Sequence, residues 1–317
     1  RTYRPRVLVL METELWPNVL NLTADSGAPI VVMNGKISER SSRGYRRFRS
    51  VLRGPLSRVS AWCMQTEADA SRIGSLLGDA SHVFVTGNCK FDVPMEAVSE
   101  ERRRELRAAV GLPPEARAVV VGSTHPGEEE IVLRAVEEVR RAIPDSVFLL
   151  VPRHPERFGA VWELLRQSGI PARRLSDGAV AGEGPAAVVL VDRMGILAQL
   201  YGVGEVAVVA GSLVPDIGGH NLLEAAIHGV PVVYGPWMHG QPDMVRILDT
   251  ENGGTCSQPD LLGHALIPLL QNRELAAEKG RLGREAVLRN RGAARRNLEV
   301  FQQVLQVRAP TGTSEAR

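Results

Sequence analysis

Aromatic residues make up only 4% of the 317-residue chain, so any core it builds must be aliphatic. The chain holds three cysteines, Cys63, Cys89 and Cys256, far apart and odd in number. That excludes a disulfide framework or a cysteine-rich zinc site and points to a reducing compartment. No run of eighteen apolar residues occurs, so the sequence holds no membrane span. The formal net charge of +2 gives no general basic character, and nucleic acid is not an expected partner. The chain opens at Arg1 and enters an apolar run almost at once, as if a segment preceded it.

What is present is 44% hydrophobic residue, 31 glycines and 20 prolines, the composition of a globular α/β protein with many tight turns. Short apolar runs recur at Arg6–Met11, Ile30–Met33, Ala61–Gln65 and His82–Val85. They return at Ala118–Val121, Ser146–Val151, Ala187–Val191, Val206–Ala210 and Val230–Tyr234. Apolar throughout and rich in valine, they read as parallel strands buried on both faces, alternating with helices. Thr66 to Asp69 resembles a capping box with Asp in the third position. After Gly253 the pattern becomes helical. Two doubly wound domains are expected, over residues 1–105 and 106–290. A helix over 291–307 should pack back toward the first domain, with a disordered tail from 308 to 317.

In such domains ligands bind at the carboxyl ends of strands, where the unusual residues of this chain cluster. Gly211 to Glu224 reads GSLVPDIGGHNLLE and opens a helix. Its glycines would let backbone N–H groups approach an anion, and Glu224 would accept hydrogen bonds from a sugar diol. Ser212, Gly219, His220, Asn221, Leu222 and Leu223 belong to the same candidate nucleotide-sugar site. Arg153, in Pro152-Arg153-His154-Pro155, offers a planar fork to a phosphate or a base carbonyl. Ser123, Thr124 and His125 hold the same position one unit earlier and are read as acceptor-side candidates. The glutamates 128 to 130 behind them suit a helix N-terminus.

Four stretches remain open between function and plain structure. Lys90 could meet charge on a leaving group or pair with Asp92. Glu12 and Glu14, in Met11-Glu12-Thr13-Glu14-Leu15-Trp16-Pro17-Asn18, could work or simply be solvated. From Lys36 to Arg58 there are eight basic residues against one acid, Glu39. As one helix this segment would carry Tyr45, Phe48, Leu52 and Leu56 on one stripe and Lys36, Arg40, Arg43 and Arg47 on another. It could face an anionic membrane or be a solvated surface. Asn34, at its start, joins Arg40, Arg43 and Arg47 as an acceptor-side candidate.

Taken in order, METELWPN, NGKISERS, MQTEAD, VTGNCKFD, STHPGEEE, PRHPERF and GSLVPDIGGHNLLE resemble the Kdo (3-deoxy-D-manno-octulosonic acid) transferases of lipid A core assembly. The resemblance runs from about Arg4 to Leu305. It implies a GT-B fold, two Rossmann-like domains facing across a cleft, the first incomplete here. It also implies inverting, metal-independent transfer of Kdo from CMP-Kdo to lipid IV-A, with no cofactor, at the cytoplasmic side of the inner membrane. Pro152, Arg153, the Met194-Gly195-Ile196 loop and Asn221 to Glu224 would hold CMP. Glu12 and Lys90 would stabilise the transition state. The general-base glutamate and a membrane anchor are expected upstream of Arg1, so that this chain alone could be inactive. Two departures stand out: Ile196 replaces the usual glutamate, and Trp237-Met238-His239-Gly240 replaces the usual Asn-Phe. The competing readings are a GT-B enzyme acting on a UDP-sugar, as transferase or epimerase, or a non-catalytic nucleotide-sugar-binding fragment.

Overall fold

The structure is a computed structural model that describes residues 5–92, 96–178 and 186–307. The chain divides into two compact units, Arg1–Val93 with Asn290–Arg317, and Pro94–Arg289. The tail expected from 308 onward lies outside the described residues.

The first unit is built on a parallel sheet in the order β1 (Leu8–Met11), β2 (Ile30–Gly35), β3 (Ala61–Met64), β4 (Val83–Val85). One face of the sheet packs Ile30, Val32, Trp62 and Met64 against Leu20, Leu56 and Ile73 of the flanking helices. Each such fully buried side chain contributes about 1.5–3 kcal/mol relative to exposure. The other face receives Val300 of the helix Ala293–Val307 against Val31, Ala61 and Cys63. Asp92 holds the start of that helix by accepting the N–H groups of Gly292 and Ala294. The edge strand β1 keeps Val9 and Met11 exposed.

The second unit contains a seven-stranded sheet, parallel at every pairing. Its strands are β5 (Arg117–Thr124), β6 (Ser146–Pro152), β7 (Ala172–Arg174), β8 (Val188–Leu190), β9 (Val206–Val209), β10 (Val232–Tyr234) and β11 (Gly254–Cys256). The order β11-β10-β9-β5-β6-β8-β7 reverses direction between β5 and β9. Loops leaving the carboxyl ends of these two strands diverge to opposite faces, which opens the crevice where doubly wound sheets bind ligands. Val119, Val121, Phe148 and Val208 form the core beneath it with the helices Glu128–Ala142 and Leu262–Gln271.

Several expectations need correction. The domain boundary falls before residue 105, because the helix Glu100–Ala109 belongs to the second unit. There Arg103 and Arg107 pair with Glu205, and Arg107 donates to the carbonyls of Val203 and Ala116. Strands β7 and β11 were not anticipated, and residues 254–256 are strand rather than helix. The basic segment is not one helix but two, Glu39–Arg47 and Arg49–Leu56, interrupted at Phe48. Tyr45, Leu52 and Leu56 face the core, whereas Phe48 is turned out and 59% exposed. Thr66 does cap its helix, accepting the N–H of Asp69, whose carboxylate also takes the N–H of Ile37.

Candidate functional site

The second unit holds a cavity of about 450 Å³ at the reversal point, lined by residues at the carboxyl ends of β5 and β6 and by residues that follow β6, β8 and β9. Pro152 and Arg153 leave β6, Met194 and Gly195 belong to the turn after β8, and His220, Asn221 and Glu224 follow β9. Gly195 has φ +83°, which a side chain adopts only under strain. Gly122, late in β5, is needed for another reason: a Cβ there would lie 2.1 Å from the hydroxyl of buried Tyr201.

The Asn-x-x-Glu spacing works through local hydrogen bonds. Asn221 Oδ1 accepts the N–H of Leu223, while its amide donates to Glu224 Oε1 at 3.3 Å. Burial pushes the Glu224 carboxyl up, and Asn221 and Arg153 pull against that shift. Tyr201 is held neutral, pushed up by its burial and then by Glu224. Arg153 and Arg193 are both exposed at residues that line the cavity. A cavity with two guanidinium groups and one inward carboxylate suits a ligand bearing an anion and a hydrogen-bond-donating diol.

Behind this wall two of the three glutamates expected to play only a dipole role, Glu128 and Glu129, are buried and specifically bonded, while Glu130 is exposed. Glu128 accepts four backbone N–H groups: His125 at 2.9 Å, Gly211 at 2.8 Å, Ser212 at 3.1 Å and Leu213 at 2.9 Å. Burial pushes its carboxyl pKa up, while those amides favour the anion. Glu129 forms a two-pronged pair with Arg157 at 2.7 and 3.0 Å. The amides of Gly211, Ser212 and Leu213 are therefore already taken by Glu128, so the anion-binding role expected of the turn does not fall to these three.

Other candidates move as well. Ser212 is buried, donates to the Val209 carbonyl and accepts the Gly235 N–H. Leu222 and Leu223 are buried in the interior, and Gly219 lies against Met238. None of these, nor Ile196, lines the cavity. Ser123, Thr124 and His125, the expected acceptor-side residues, belong to the second unit: the first two end β5 and His125 follows it. Ser123 lines the cavity and His125 Nε2 stands 2.8 Å from His220 Nε2. Arg193, Tyr201 and Gln241 also line it and were missed, since none sits in a glycine-rich motif.

In the first unit the candidates are less enclosed. Glu12 follows β1 at φ +59°, a strained conformation for a non-glycine residue, and its backbone N–H reaches the Met33 carbonyl. Glu14 accepts the Trp16 indole N–H at 3.1 Å, and Pro17 starts the helix Pro17–Asp25. Lys90 is exposed, and Asp92 serves the helix start rather than an ion pair with it. Asn34 is buried: its Oδ1 takes the Cys89 N–H, its own N–H meets Asn297 Oδ1, and its carbonyl takes the Gln65 amide. That interior role replaces the acceptor contact expected of it. Arg40, Arg43 and Arg47 are exposed on their helix. Among the described residues no group of three or more His, Cys, Asp or Glu is placed to hold a metal ion.

Two α/β units on parallel sheets, with the cavity at a strand-order reversal, define a GT-B-type glycosyltransferase fold. Anabaena HepE in complex with UDP shares it, at TM-score 0.53 and 14% identity over 94% of this chain and 79% of that one. The C-terminal CMP-Kdo binding domain of WaaA from Acinetobacter baumannii matches at TM-score 0.53 and 28% identity, over 59% of this chain and 96% of that one. A family model described as 3-deoxy-D-manno-octulosonic-acid transferase (kdotransferase) matches residues 1–93. The 3-deoxy-D-manno-octulosonic acid transferase of Haemophilus influenzae is 33% identical over 306 residues, 96% of this chain and 70% of that protein. The namesake from Chlamydophila psittaci is 34% identical over 81% of this chain, which spans 58% of its length. The chain belongs to the Kdo transferase family, whose members are glycosyltransferases.

Proposed function

We propose that the protein transfers Kdo from CMP-Kdo to lipid IV-A, with inversion and without a metal, at the cytoplasmic face of the inner membrane. The observation that carries the donor is the second-unit cavity, where Arg153 and the Asn221–Glu224 pair meet at the strand-order reversal. Arg153 and Arg193 offer the phosphate two cations, and Glu224 offers the ribose or sugar hydroxyls an acceptor. The likeness to a CMP-Kdo-binding domain supports cytidine as the base.

In this reading Glu12 meets positive charge building on the sugar ring, and Lys90 meets negative charge on the departing CMP. Glu12 follows β1 and Lys90 comes after β4, the opposite edges of one four-stranded sheet. The segment after β4 crosses back over the sheet, however: the Cys89 N–H reaches Asn34 Oδ1 in β2, one residue from Met33, whose carbonyl takes the Glu12 N–H, so Glu12 and Lys90 are carried to neighbouring strand ends. The membrane assignment is supported by apolar side chains that point outward beside the arginine-rich helices. Phe48 is 59% exposed, Val51 71% and Leu22 71%.

Titration calorimetry with CMP and with UDP tests the donor. CMP is expected to bind at least about tenfold more tightly, a difference of roughly 1.4 kcal/mol. Binding of UDP with no binding of CMP would sink the reading in favour of a UDP-sugar enzyme. Kdo transfer to lipid IV-A, followed by mass spectrometry, tests the reaction.

A further inference from the structure

Two histidines meet across the reversal point of the second sheet. His125 follows β5, His220 follows β9, and their Nε2 atoms lie 2.8 Å apart. The rings stack with centroids 5.0 Å apart at an interplanar angle of 15°. Two ring nitrogens at that distance need one proton between them, carried by one as donor and facing the lone pair of the other. The contact therefore tolerates a neutral pair or a pair with one positive charge. It does not tolerate two imidazolium ions, since both Nε2 atoms would then be donors.

The backbone fixes this pair from behind. Glu128 Oε2 accepts the N–H groups of both His125 and Gly211. Gly219, next to His220, donates its N–H to the Gly211 carbonyl at 2.7 Å. One buried carboxylate thus ties together the two peptide segments that carry the histidines. Gly211 leaves the room: a Cβ there would lie 2.7 Å from His220 Cδ2.

The charged and titratable groups facing the pair come from every neighbouring segment. Arg153 and His154 follow β6, and His154 meets His125 edge-on at 5.5 Å. Arg157 and Glu129 face His125 as an ion pair, with Glu128 on the far side. Glu224 shares the cavity that His220 lines. Burial, then the cationic neighbours, keep both rings neutral: His220 is pushed down to about 4, and His125 is lowered from its ordinary value. Arg153 works against a charged pair while no anion is near, and an anion between them reverses that balance.

We propose that the His125–His220 pair takes up one proton from solvent when the phosphodiester of the donor nucleotide enters the cavity beside Arg153, so that donor binding is proton-linked. No covalent bond changes; solvent supplies the proton, and the pair goes from neutral to singly cationic. The inference rests on reading the cavity as the nucleotide site and adds a linkage that reading does not contain. His220 touches the ligand, and His125 acts through it as a positioning residue. The sign follows from linkage: affinity rises as pH falls through the bound-state pKa and levels off near pH 4, where the empty pair is itself charged.

Two measurements test it. Long-range proton–nitrogen NMR of the ligand-free protein should show one ring protonated at Nε2, the other at Nδ1, both neutral at pH 7. Calorimetry with the methyl ester of CMP follows, a diester with no proton of its own to exchange in this range. Titrations at pH 6.5 in two buffers of different ionisation heat should give uptake of about half a proton or more. Uptake should persist in His154→Gln and fall below about half the wild-type value in both His125→Gln and His220→Gln. Any uptake by Glu224 survives in those variants and is thereby separated. Independent titration of His125 and His220 near pH 6.5 would overturn the proposal, as would unchanged uptake in His125→Gln. Binding of the ester without uptake sinks the linkage alone. No binding to folded wild-type protein sinks the nucleotide reading and the linkage with it.

Discussion

The two units carry their candidate residues in opposite ways. In the second unit the carboxylates at and behind the cavity are interlocked, while Arg153 and Arg193 stay exposed: Glu128 takes four amides, Glu129 takes Arg157, and Asn221 steadies Glu224. In the first unit Glu12, Lys90, Arg40, Arg43 and Arg47 stand exposed. Interlocked groups have already given up water and hold one geometry without a ligand, which suits a binding pocket. Exposed charges keep their hydration and gain strength only when substrate excludes water from them. If the proposed roles hold, the difference makes donor binding and the chemistry on the donor separable by mutation.

The sharpest way to break that comparison is to remove a charge from the first unit. Glu12→Gln and Lys90→Ala are each expected to lower the rate of Kdo transfer by about 10²–10³-fold, as removal of a transition-state contact does. CMP affinity should stay within about twofold in Glu12→Gln, because Glu12 faces the sugar and lies outside the unit that holds the cavity, while Lys90→Ala should lose far less CMP affinity than rate. Parallel kinetics and calorimetry check this, and a loss of CMP affinity equal to the loss of rate would refute the separation. Next in size is Glu128→Ala, which strands buried N–H groups. An expected cost of about 3 kcal/mol or more in chemical denaturation should come with loss of CMP binding. Arg153→Ala and Glu224→Ala should weaken CMP by about 10–30-fold with unchanged melting temperature, since both act on ligand rather than on fold.

A smaller effect appears on acidification. His220 is held neutral when folded, with its pKa depressed to about 4, so its share of stability is present above pH 6.5 and lost as pH falls toward 4. After allowance for partial exposure that share is about 1–2 kcal/mol, and His220→Gln should flatten the decline in a denaturation series from pH 7 to 4. A slope that is the same with and without the imidazole would place the acid sensitivity elsewhere.

How much of this could be read from residues alone follows from the range of the contacts. Strands such as Val206–Val209 and Ser146–Pro152 announce themselves as apolar runs, since a buried parallel strand needs nothing else. β7 escaped because Ala172-Arg173-Arg174 is an edge strand whose arginines carry no such run. Asn221 and Glu224 were legible because one helical turn sets their relation. The tie from Glu128 to Gly211 spans 83 residues and that from His125 to His220 spans 95, so only the sheet order reveals them. The same limit explains Ser212, Leu222 and Leu223, which share the motif with His220 yet turn inward.

The mildest effect concerns the arginine-rich face of the first unit. Its helices expose Phe48 and Val51 beside Arg40, Arg43 and Arg47, while Tyr45, Leu52 and Leu56 are kept for the core. An amphipathic surface of this kind binds at a bilayer interface through shallow apolar insertion and attraction to anionic headgroups, about 1 kcal/mol per arginine near the surface. Cosedimentation with vesicles containing phosphatidylglycerol should therefore exceed that with neutral vesicles, and salt should reduce it. Phe48→Ser should lower binding by about three- to tenfold without shifting the melting temperature, because the ring is 59% exposed and outside the packed core. Equal binding to neutral and anionic vesicles would leave these arginines as a solvated face, and the contrast between the two units would then rest on Glu12 and Lys90 alone.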